Sequence, residues 1–525
     1  MLKPFDEHGM FRMAADDGGL RRVAVRGVAV TALSQSLGFA IQLIATVVLA
    51  RLLTPSDFGL VAMVTTFSLL LMNAGFNGFT EAIVQREQLD HRLASNLFWI
   101  NLALGVALTA TFASAGSLLA RFYGDARVAS VALAMSAAIL FSSMSVVPLA
   151  LLKRGLQFSR VSANDVIARA LSVAVSIAFA VRAFGYWALV AGAVALPLAT
   201  AIGAWVRCRW VPGLPARVSG TKGMVRFAMN TYGHFATNYC TRNLDNLLVA
   251  WFFGAQSLGF YKKAYDLCVL PVAQLADPLN AVAVPVLSRL AGDPERHRRY
   301  VLRALTTLAF VGMGLSACLS LVGRDLMLVL LGPQWQESGR IFSFFAPGIG
   351  AMLLYLTYGC IHLSIGRADR LFRWAVIELA VLGSLFVAGL HWGPVGVATA
   401  WVVACWVLTI PALWYAGKPA NLGMAAIVAA LWKYAAAAPL AVSAAAAIVH
   451  RVPELAAAPG WTGAANRIAA HSLVFGALYL AAVIAFHGGW APLADTASLV
   501  RHLLPARRPQ CTTLTLVGGV GPAVE

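Results

Sequence analysis

The sequence contains few charged residues, which excludes a soluble globular protein. Only 12% of its 525 residues are Asp, Glu, Lys or Arg, whereas 60% are hydrophobic and the mean hydropathy is +0.75. Soluble domains contain about 25% charged residues. Continuous Ala- and Leu-rich segments of about 20 residues instead indicate an integral membrane protein built of helices. A membrane β-barrel is excluded, because barrel strands alternate apolar and polar residues over about ten positions.

Cysteine is scarce and follows no spacing pattern. No two of the seven cysteines form a C-x-x-C pair, which argues against a zinc site or a disulfide framework. No metal or other cofactor is therefore expected. The N-terminal segment also lacks the short apolar core and small-residue cleavage site of a signal peptide. The first span is expected to act as an uncleaved anchor.

Acidic residues are outnumbered by basic ones, 22 to 40, which gives a net charge of +18. Nucleic-acid binding is not expected, since no basic cluster forms a folded face interleaved with aromatic residues. Most Lys and Arg residues instead fall in alternate loops between the hydrophobic segments. Cytoplasmic loops of membrane proteins carry this excess. The pattern predicts that both termini are cytoplasmic.

The hydrophobic segments predict an all-α polytopic protein of about 14 transmembrane helices. The first twelve form two groups of six, which we interpret as an N-lobe and a C-lobe, and the last two form a terminal pair. The predicted order is a cytoplasmic N-terminal segment 1–26, the N-lobe 27–206, a cytoplasmic inter-lobe loop 207–226, the C-lobe 227–416, the terminal helix pair 417–489 and a cytoplasmic tail 490–525.

An internal repeat relates the two lobes. Residues 51–60, RLLTPSDFGL, align with residues 251–260, WFFGAQSLGF, at an offset of 200. Two further matches follow in the same order at slightly larger offsets. Six predicted spans separate the copies, so both copies have the same orientation. This predicts a parallel repeat, with the lobes related about the membrane normal around a central cavity.

The stretch 227–254 is long enough to cross a bilayer, yet it is rich in amides and carries Arg242 and Asp245. One charged side chain at the middle of a bilayer costs roughly 2.5–3.5 kcal/mol. These two residues are three apart, so on one helix they share a face and are expected to pair. We interpret the stretch as the polar wall of an internal cavity. The alternative is a structural pair that joins this helix to its neighbour.

Several segments resemble a known family. They are RLLTPSDFGLVAM (51–63), AIVQRE (82–87) and RNLDNLLVAWFFGAQSLGFYKKAYDLCVLPV (242–272), supported by FWINLALG (98–105), ARFYGD (120–125) and VPLALLKRGLQF (147–158). The chain resembles the polysaccharide transporter branch of the multidrug/oligosaccharidyl-lipid/polysaccharide (MOP) exporter superfamily, the Wzx-type flippases, most nearly the colanic-acid exporters. The resemblance covers roughly residues 25–420.

This resemblance implies a MATE- and MurJ-like fold of two six-helix lobes plus a terminal pair. It also implies a substrate, an oligosaccharide on undecaprenyl diphosphate, which crosses the bacterial inner membrane by alternating access. Membrane lipid, and the polymerase and chain-length machinery of polysaccharide synthesis, are the expected partners.

Candidate site residues follow from the polar residues inside the predicted spans. Arg242 is expected to attract the substrate diphosphate, because a guanidinium offers planar paired donors to phosphate oxygens. The residues expected to bind sugar hydroxyls are Asn230, Asn238, Tyr239, Asn243 and Asn246. The candidates for ion coupling are Asp245, Asp266, Asp277, Glu378 and Glu81. For the carboxylates, a position at a helix end or a hydrogen bond between helices is the alternative.

Two other functions remain open at this point. A drug or cation antiporter of the related multidrug branch would need a compact acidic or aromatic pocket. A membrane polysaccharide polymerase or ligase would need a sizeable external loop with catalytic acids or bases. The longest external loop, 450–466, holds one acid, Glu454. No constellation for acyl, glycosyl or phosphoryl transfer is visible, so a transporter is favoured over an enzyme.

Overall fold

The structure is a computed structural model that describes residues 4–6, 9–11, 17–86, 89–215, 221–290, 292–451 and 460–490. Within these ranges the chain forms sixteen α-helices, joined by short turns. They are α1 (Asp17–Leu52), α2 (Pro55–Gln85), α3 (His91–Tyr123), α4 (Arg127–Arg154), α5 (Phe158–Val181), α6 (Trp187–Cys208), α7 (Thr221–Arg242), α8 (Leu244–Arg289), α9 (Pro294–Leu331), α10 (Gln336–Phe345), α11 (Ile349–Tyr355), α12 (Thr357–Ser364), α13 (Ala368–Gly389), α14 (Gly393–Gly417), α15 (Met424–His450) and α16 (Gly460–His487).

The predicted all-α membrane fold is confirmed, whereas the count of fourteen spans is not. Eleven segments among the described residues are long and apolar enough to cross a membrane. One of them, Asp369–Ala420, holds both α13 and α14. Neither α7 nor α8 is among the eleven. The predicted cytoplasmic tail beyond residue 490 and the loop acid Glu454 lie outside the described residues. Of the predicted cytoplasmic segment 1–26, the structure describes residues 4–6, 9–11 and 17–26, and residues 17–26 already belong to α1.

Helix starts agree with local sequence signals. Thr54 caps α2: its side chain accepts a hydrogen bond from the Asp57 backbone N–H, and the Asp57 side chain accepts from the Thr54 N–H in return. Pro55 follows as the first helical residue, where no backbone donor is needed. Asp90 and Asp293 accept backbone hydrogen bonds in the same way at the starts of α3 and α9. These caps satisfy donors that the helix itself leaves open.

The N-lobe comprises α1–α6. Helix α4 lies at its centre and packs against α2, α3 and α6, while α5 packs against α1 and α6. Buried amides link these helices: Asn101 Nδ2 donates to the Ser143 carbonyl at 2.8 Å, and Asn164 Nδ2 donates to the Thr200 carbonyl at 3.0 Å. Helices in lipid gain little from apolar burial alone, so such hydrogen bonds help to fix their contacts.

The C-lobe comprises α7–α14, and the apolar span Pro333–Ser364 within it is a broken helix. Helices α10, α11 and α12 share the span, with a 3-10 turn at Ala346–Gly348. Pro347 lies in that turn, and a proline cannot donate the backbone hydrogen bond that a continuous helix needs. Helices α15 and α16 form the terminal pair and pack on α9. The side chains of Arg467 (α16) and Asp325 (α9) form an ion pair with an N–O distance of 2.5 Å.

The two lobes meet at a pair of glycines related by the repeat. A Cβ atom placed on Gly59 of α2 would overlap the Ala255 carbonyl oxygen of α8, and one placed on Gly259 would overlap the Pro55 carbonyl oxygen. The two contacts are equivalent under the repeat, because Gly59 corresponds to Gly259 and Pro55 corresponds to Ala255 at the offset of 200. The glycine of α2 contacts α8 in the same way as the equivalent glycine of α8 contacts α2. This symmetry indicates a pseudo-two-fold axis between the two helices. The structure thereby agrees with the predicted parallel repeat.

Candidate transport cavity

A cavity of about 350 Å³ lies between the lobes and is called the transport cavity below. Its walls come from α1, α2 and α6 of the N-lobe and from α7 and α8 of the C-lobe. Hydroxyl and amide side chains on the wall are Gln42, Thr46, Thr65, Thr66, Tyr239 and Asn243, and the charged ones are Lys262, Lys263 and Asp266. The cavity thus offers hydrogen-bond donors and acceptors together with two cations and one carboxylate.

The two lysines have different partners. Lys262 forms an ion pair with Asp266 one helical turn later, with the Nζ atom 2.8 Å from a carboxylate oxygen. Lys263 has its Nζ atom 4.1 Å from the centroid of the Phe58 ring on α2. Only the Lys263 contact crosses between the lobes. One lysine is therefore paired with a carboxylate on its own helix, while the other lies against an aromatic face of the opposite lobe.

Sequence reasoning missed these lysines. Neither Lys262 nor Lys263 was among the candidate site residues, yet both lie in α8 and line the transport cavity. The signal was present in the sequence YKKAYD. Asp266 follows Lys262 by four residues, the spacing of an ion pair on one helix face, inside a segment that is otherwise apolar.

The polar stretch 227–254 is not one continuous helix but is interrupted at Asn243 and at Gly254. Helix α7 ends at Arg242, Asn243 has non-helical backbone angles (φ −118°), and α8 begins at Leu244. Gly254 interrupts α8 with φ 75° and ψ −176°, a conformation that favours glycine. Asn243 Nδ2 donates to the Tyr239 carbonyl at 2.9 Å, so its side chain satisfies one acceptor that the break frees. Non-helical backbone at this depth is tolerated where it faces a cavity.

The expected ion pair between Arg242 and Asp245 does not form. The helix break at Asn243 removes the three-residue spacing on which the expectation rested. Asp245 is buried and instead accepts a hydrogen bond from the Tyr261 hydroxyl at 2.9 Å and from the Asn246 backbone N–H at 2.7 Å. Among the residues that the structure describes, no carboxylate lies within 4.0 Å of the Arg242 guanidinium.

A second, smaller cavity of about 60 Å³ lies inside the C-lobe and brings Arg242, Asp245 and Glu378 together. Glu378 of α13 accepts a hydrogen bond from the Tyr358 hydroxyl at 3.3 Å. Nearby, the Trp374 indole donates to the Tyr355 hydroxyl at 2.9 Å. This C-lobe cavity therefore contains a guanidinium and two carboxylates from helices far apart in the sequence, surrounded by phenol and indole donors.

The predicted sugar-binding residues occupy three environments. Tyr239 and Asn243 line the transport cavity. Asn230 and Asn238 are exposed on α7 and line neither of these cavities. Asn246 is buried, and its Nδ2 atom lies 3.3 Å from Asn243 Oδ1. The Asn246 side chain therefore supports the helix break.

The predicted ion-coupling carboxylates are also dispersed. Asp266 lines the transport cavity, while Asp245 and Glu378 line the C-lobe cavity. Glu81 lies on α2 away from both cavities, with one carboxylate oxygen buried and without a hydrogen-bond partner among the described residues. The side chain of Asp277 lies outside the described residues. No group of three or more His, Cys, Asp or Glu side chains in the described part of the chain is placed to hold a metal ion.

Near one end of the transport cavity the lobes are joined by a set of contacts that we call the interlobe latch. Gln334 Nε2 donates to the carbonyls of Ala50 (2.6 Å) and Leu53 (3.2 Å) at the end of α1, and Trp335 Nε1 donates to the Ala50 carbonyl at 2.8 Å. The Trp335 ring also packs edge-to-face on Phe58, with 5.4 Å between ring centroids. The latch lies on the face that carries the α1–α2 turn, next to the crossing at Gly59.

Contacts between α2 and α7 lie toward the opposite face. A Cβ atom on Gly78 would lie too close to the Ala228 backbone, and the Tyr232 hydroxyl donates to the Leu70 carbonyl at 3.1 Å. The lobes thus touch on both sides of the transport cavity. Opening to either side requires one of these two contact sets to separate.

Comparison with known proteins places the chain in a family. It matches the family described as "Polysaccharide biosynthesis protein" over residues 48–340, more than half of its length. The chain belongs to this family. Among its relatives, the succinoglycan biosynthesis transport protein ExoT of Rhizobium meliloti (strain 1021) is 24% identical over 68% of this chain and 72% of the relative. The lipopolysaccharide biosynthesis protein WzxC of Escherichia coli (strain K12) is 21% identical over 76% of this chain and 82% of the relative.

Solved structures share the fold of this polysaccharide biosynthesis protein. The lipid II flippase MurJ in an inward closed conformation superposes with a TM-score of 0.70 at 14% identity, covering 90% of this chain and all of the MurJ chain. An inward-facing multidrug resistance MATE transporter of the MOP superfamily superposes with a TM-score of 0.61 at 14% identity. The match covers 75% of this chain and 98% of the transporter chain. Both similarities support the fold that the family resemblance implied.

Proposed function

We propose that this protein is a flippase that moves oligosaccharide linked to undecaprenyl diphosphate across the bacterial inner membrane. The observation that carries the proposal is a polar cavity with two lysines enclosed between two repeat-related lobes. The family and the relatives named for polysaccharide transport support the same function. The product would then pass to the polymerase and chain-length machinery on the outer side.

The lysines provide the recognition of the diphosphate. A diphosphate cannot cross lipid unshielded, so cations on the path are required. Lys263 is the better first contact, because its partner is an aromatic ring that phosphate oxygens can replace without leaving an unpaired acid. Lys262 can add a second contact if Asp266 releases it or becomes protonated. The ammonium group is also a common point-charge partner of phosphate.

Sugar hydroxyls are expected to contact the hydroxyl and amide side chains of the same wall. Thr46, Thr65 and Thr66 come from the N-lobe, and Tyr239 and Asn243 from the C-lobe. A site divided between two lobes can change shape when the lobes move. This favours alternating access, in which the interlobe latch and the α2–α7 contacts open in turn.

Ion coupling is assigned to the C-lobe cavity. Arg242 and Glu378 line it together with Asp245. A carboxylate that exchanges a proton or a cation there would change the balance of charge around Arg242. Arg242 is the last residue of α7, and the next residue, Asn243, lines the transport cavity. A change of charge around Arg242 would therefore act next to the substrate.

The test of this function is deletion of the gene in its native host, with complementation by the wild-type chain. We expect lipid-linked repeat units to accumulate on the cytoplasmic leaflet and surface polysaccharide to disappear, both reversed by complementation. Unchanged surface polysaccharide without accumulation would refute the proposal. Growth with cationic dyes tests the antiporter alternative, which the two lysines of the transport cavity disfavour, since like charges repel a cationic drug.

A further inference from the structure

A third cavity, of about 680 Å³, lies outside the transport cavity on the face that carries the interlobe latch. It is bordered by the end of α1, by the end of α9 with the turn that follows it, and by the start of α16. Lining residues include Arg51, Leu328, Val329, Pro333, Gln334 and Trp461. The N-lobe, the C-lobe and the terminal helix pair therefore all contribute to this cavity, which is called the latch-side cavity here.

Arg51 is the cation of the latch-side cavity. One guanidinium nitrogen donates to the Val329 carbonyl at 2.7 Å, which fixes the side chain across the lobe boundary. In the described part of the chain, no carboxylate lies within ion-pair distance of it, and the residue is exposed. The guanidinium therefore retains both its charge and donors for an anion.

The remaining wall suits a lipid better than a soluble anion. Leu328, Val329 and Pro333 supply apolar surface, and Trp461 is 67% exposed at the start of α16. The cavity lies at helix ends, the level at which lipid head groups meet the acyl chains. Tryptophan is enriched at that level because its ring is apolar and its N–H is polar.

We propose that the latch-side cavity binds an anionic glycerophospholipid, with the lipid phosphate on Arg51 and its acyl chains along Leu328, Val329 and Trp461. The cavity volume lies within the range of ligand pockets, about 300–1,000 Å³. Gln334 lines this cavity, and its amide is bonded to the end of α1 as part of the latch. A lipid bound here contacts both lobes beside the latch and stabilises the closed latch.

Native mass spectrometry of the purified full-length chain tests the site. The protein is titrated with phosphatidylglycerol or with zwitterionic phosphatidylcholine, as wild type, as Arg51→Gln and as Arg182→Gln. Arg182 is an exposed arginine at the end of α5 on the same face and is the matched control. We expect phosphatidylglycerol binding to weaken about tenfold in Arg51→Gln, as loss of a charged hydrogen bond predicts, and to be unchanged in Arg182→Gln.

Two further variants and a phosphate competition test the charge and the apolar wall separately. Arg51→Lys should recover part of the binding, and Trp461→Ala should weaken retention of both lipids, because it removes apolar wall rather than charge. Equal phosphatidylglycerol binding by wild type and Arg51→Gln, both monodisperse, would overturn the site. Displacement of the lipid by millimolar inorganic phosphate would overturn the lipid assignment. None of these readouts involves transport, so their outcome is independent of the proposed flippase activity.

Discussion

At the residue scale, the charged groups differ most in the partner that each one has. Lys262 is held by Asp266 on its own helix, Lys263 contacts an aromatic ring across the lobe boundary, and Asp245 is buried with a phenol donor. The loss of activity or stability expected on substitution of each residue depends on that partner. A cation beside a ring can be recruited by an anionic substrate, whereas a buried hydrogen-bonded carboxylate is expensive to leave unpaired.

Lys263→Gln is expected to lower polysaccharide export about tenfold, because one charged contact to the diphosphate is lost. Lys263→Arg should retain part of the activity, since a guanidinium also packs on an aromatic ring. Export is measured by complementation of the deletion strain at equal membrane levels. Lys222→Gln, the same change of charge at the exposed start of α7, is the control and should export normally. Normal export by Lys263→Gln would exclude Lys263 from substrate binding.

Arg242→Ala is expected to abolish export while the protein still inserts, because the C-lobe cavity would keep its carboxylates without their cation. Arg242→Lys, which keeps the charge but loses the planar fork, should retain part of the activity. The measurement is surface polysaccharide together with the amount of protein in the membrane fraction. Wild-type export by Arg242→Ala would show that the residue is structural or peripheral.

Tyr261→Phe removes the hydroxyl that donates to the buried Asp245 carboxylate. We expect a loss of stability of about 1–3 kcal/mol, the usual cost of leaving a buried acceptor without its donor. Adding Asp245→Asn to Tyr261→Phe should recover part of that stability, because a neutral amide is less costly to bury. Thermal unfolding of the wild type and of both variants in detergent checks this. A Tyr261→Phe protein as stable as the wild type would contradict the assigned contact.

At the element scale, the crossing of α2 and α8 governs how closely the lobes can approach. Gly59 and Gly259 let the two backbones touch, and the latch adds hydrogen bonds from Gln334 and Trp335 to the end of α1. Helix ends expose carbonyls that need donors, so opening the latch leaves acceptors at Ala50 and Leu53 for water to satisfy. The closed face is thus stabilised by both packing and capping.

Gly59→Ala is expected to hold the latch face open, because the added methyl group would overlap the Ala255 carbonyl. A cysteine placed at Thr46 in the transport cavity should then react faster with a maleimide added from the latch face. Gly259→Ala should act in the same way, since its contact is the symmetric one. Gly233→Ala is the control, because a Cβ atom there meets nothing within 4 Å. Equal labelling of Gly59→Ala and the control would contradict the closure role of the crossing.

At the scale of the whole molecule, the arrangement of charge predicts orientation. The latch face carries the α1–α2 turn, whereas Arg86 and Arg92 lie in the next connection along the chain, on the opposite face. The excess of Lys and Arg in the loops of that opposite face predicts that it is cytoplasmic. The latch would then close the periplasmic side of the transport cavity.

Single cysteines test this orientation in a chain whose seven native cysteines are replaced by alanine. A cysteine at Arg182, on the latch face, should react with a membrane-impermeant maleimide in intact spheroplasts. A cysteine at Arg86 should react only after the membrane is opened. The reverse pattern would invert the orientation and assign the latch to the cytoplasmic side.

The sequence by itself determined the membrane class, the helical composition and the repeat, because each follows from local composition or from the spacing of residues along one chain. Low charge with apolar runs requires helices in lipid, and the offset of 200 between Gly59 and Gly259 is visible without coordinates. The polar character of the segment around Arg242 was equally evident.

Only the tertiary structure decided which polar residues share a site. Lys262 and Lys263 line the transport cavity because α8 packs against α2, and Glu378 reaches the cavity of Arg242 across more than a hundred residues of chain. With the helix broken at Asn243, Asp245 accepts a hydrogen bond from Tyr261 and forms no ion pair with Arg242. The spacing of two residues predicts that they pair only if the helix between them is continuous. Contacts between the lobes depend on how distant helices pack, which a local sequence pattern does not predict.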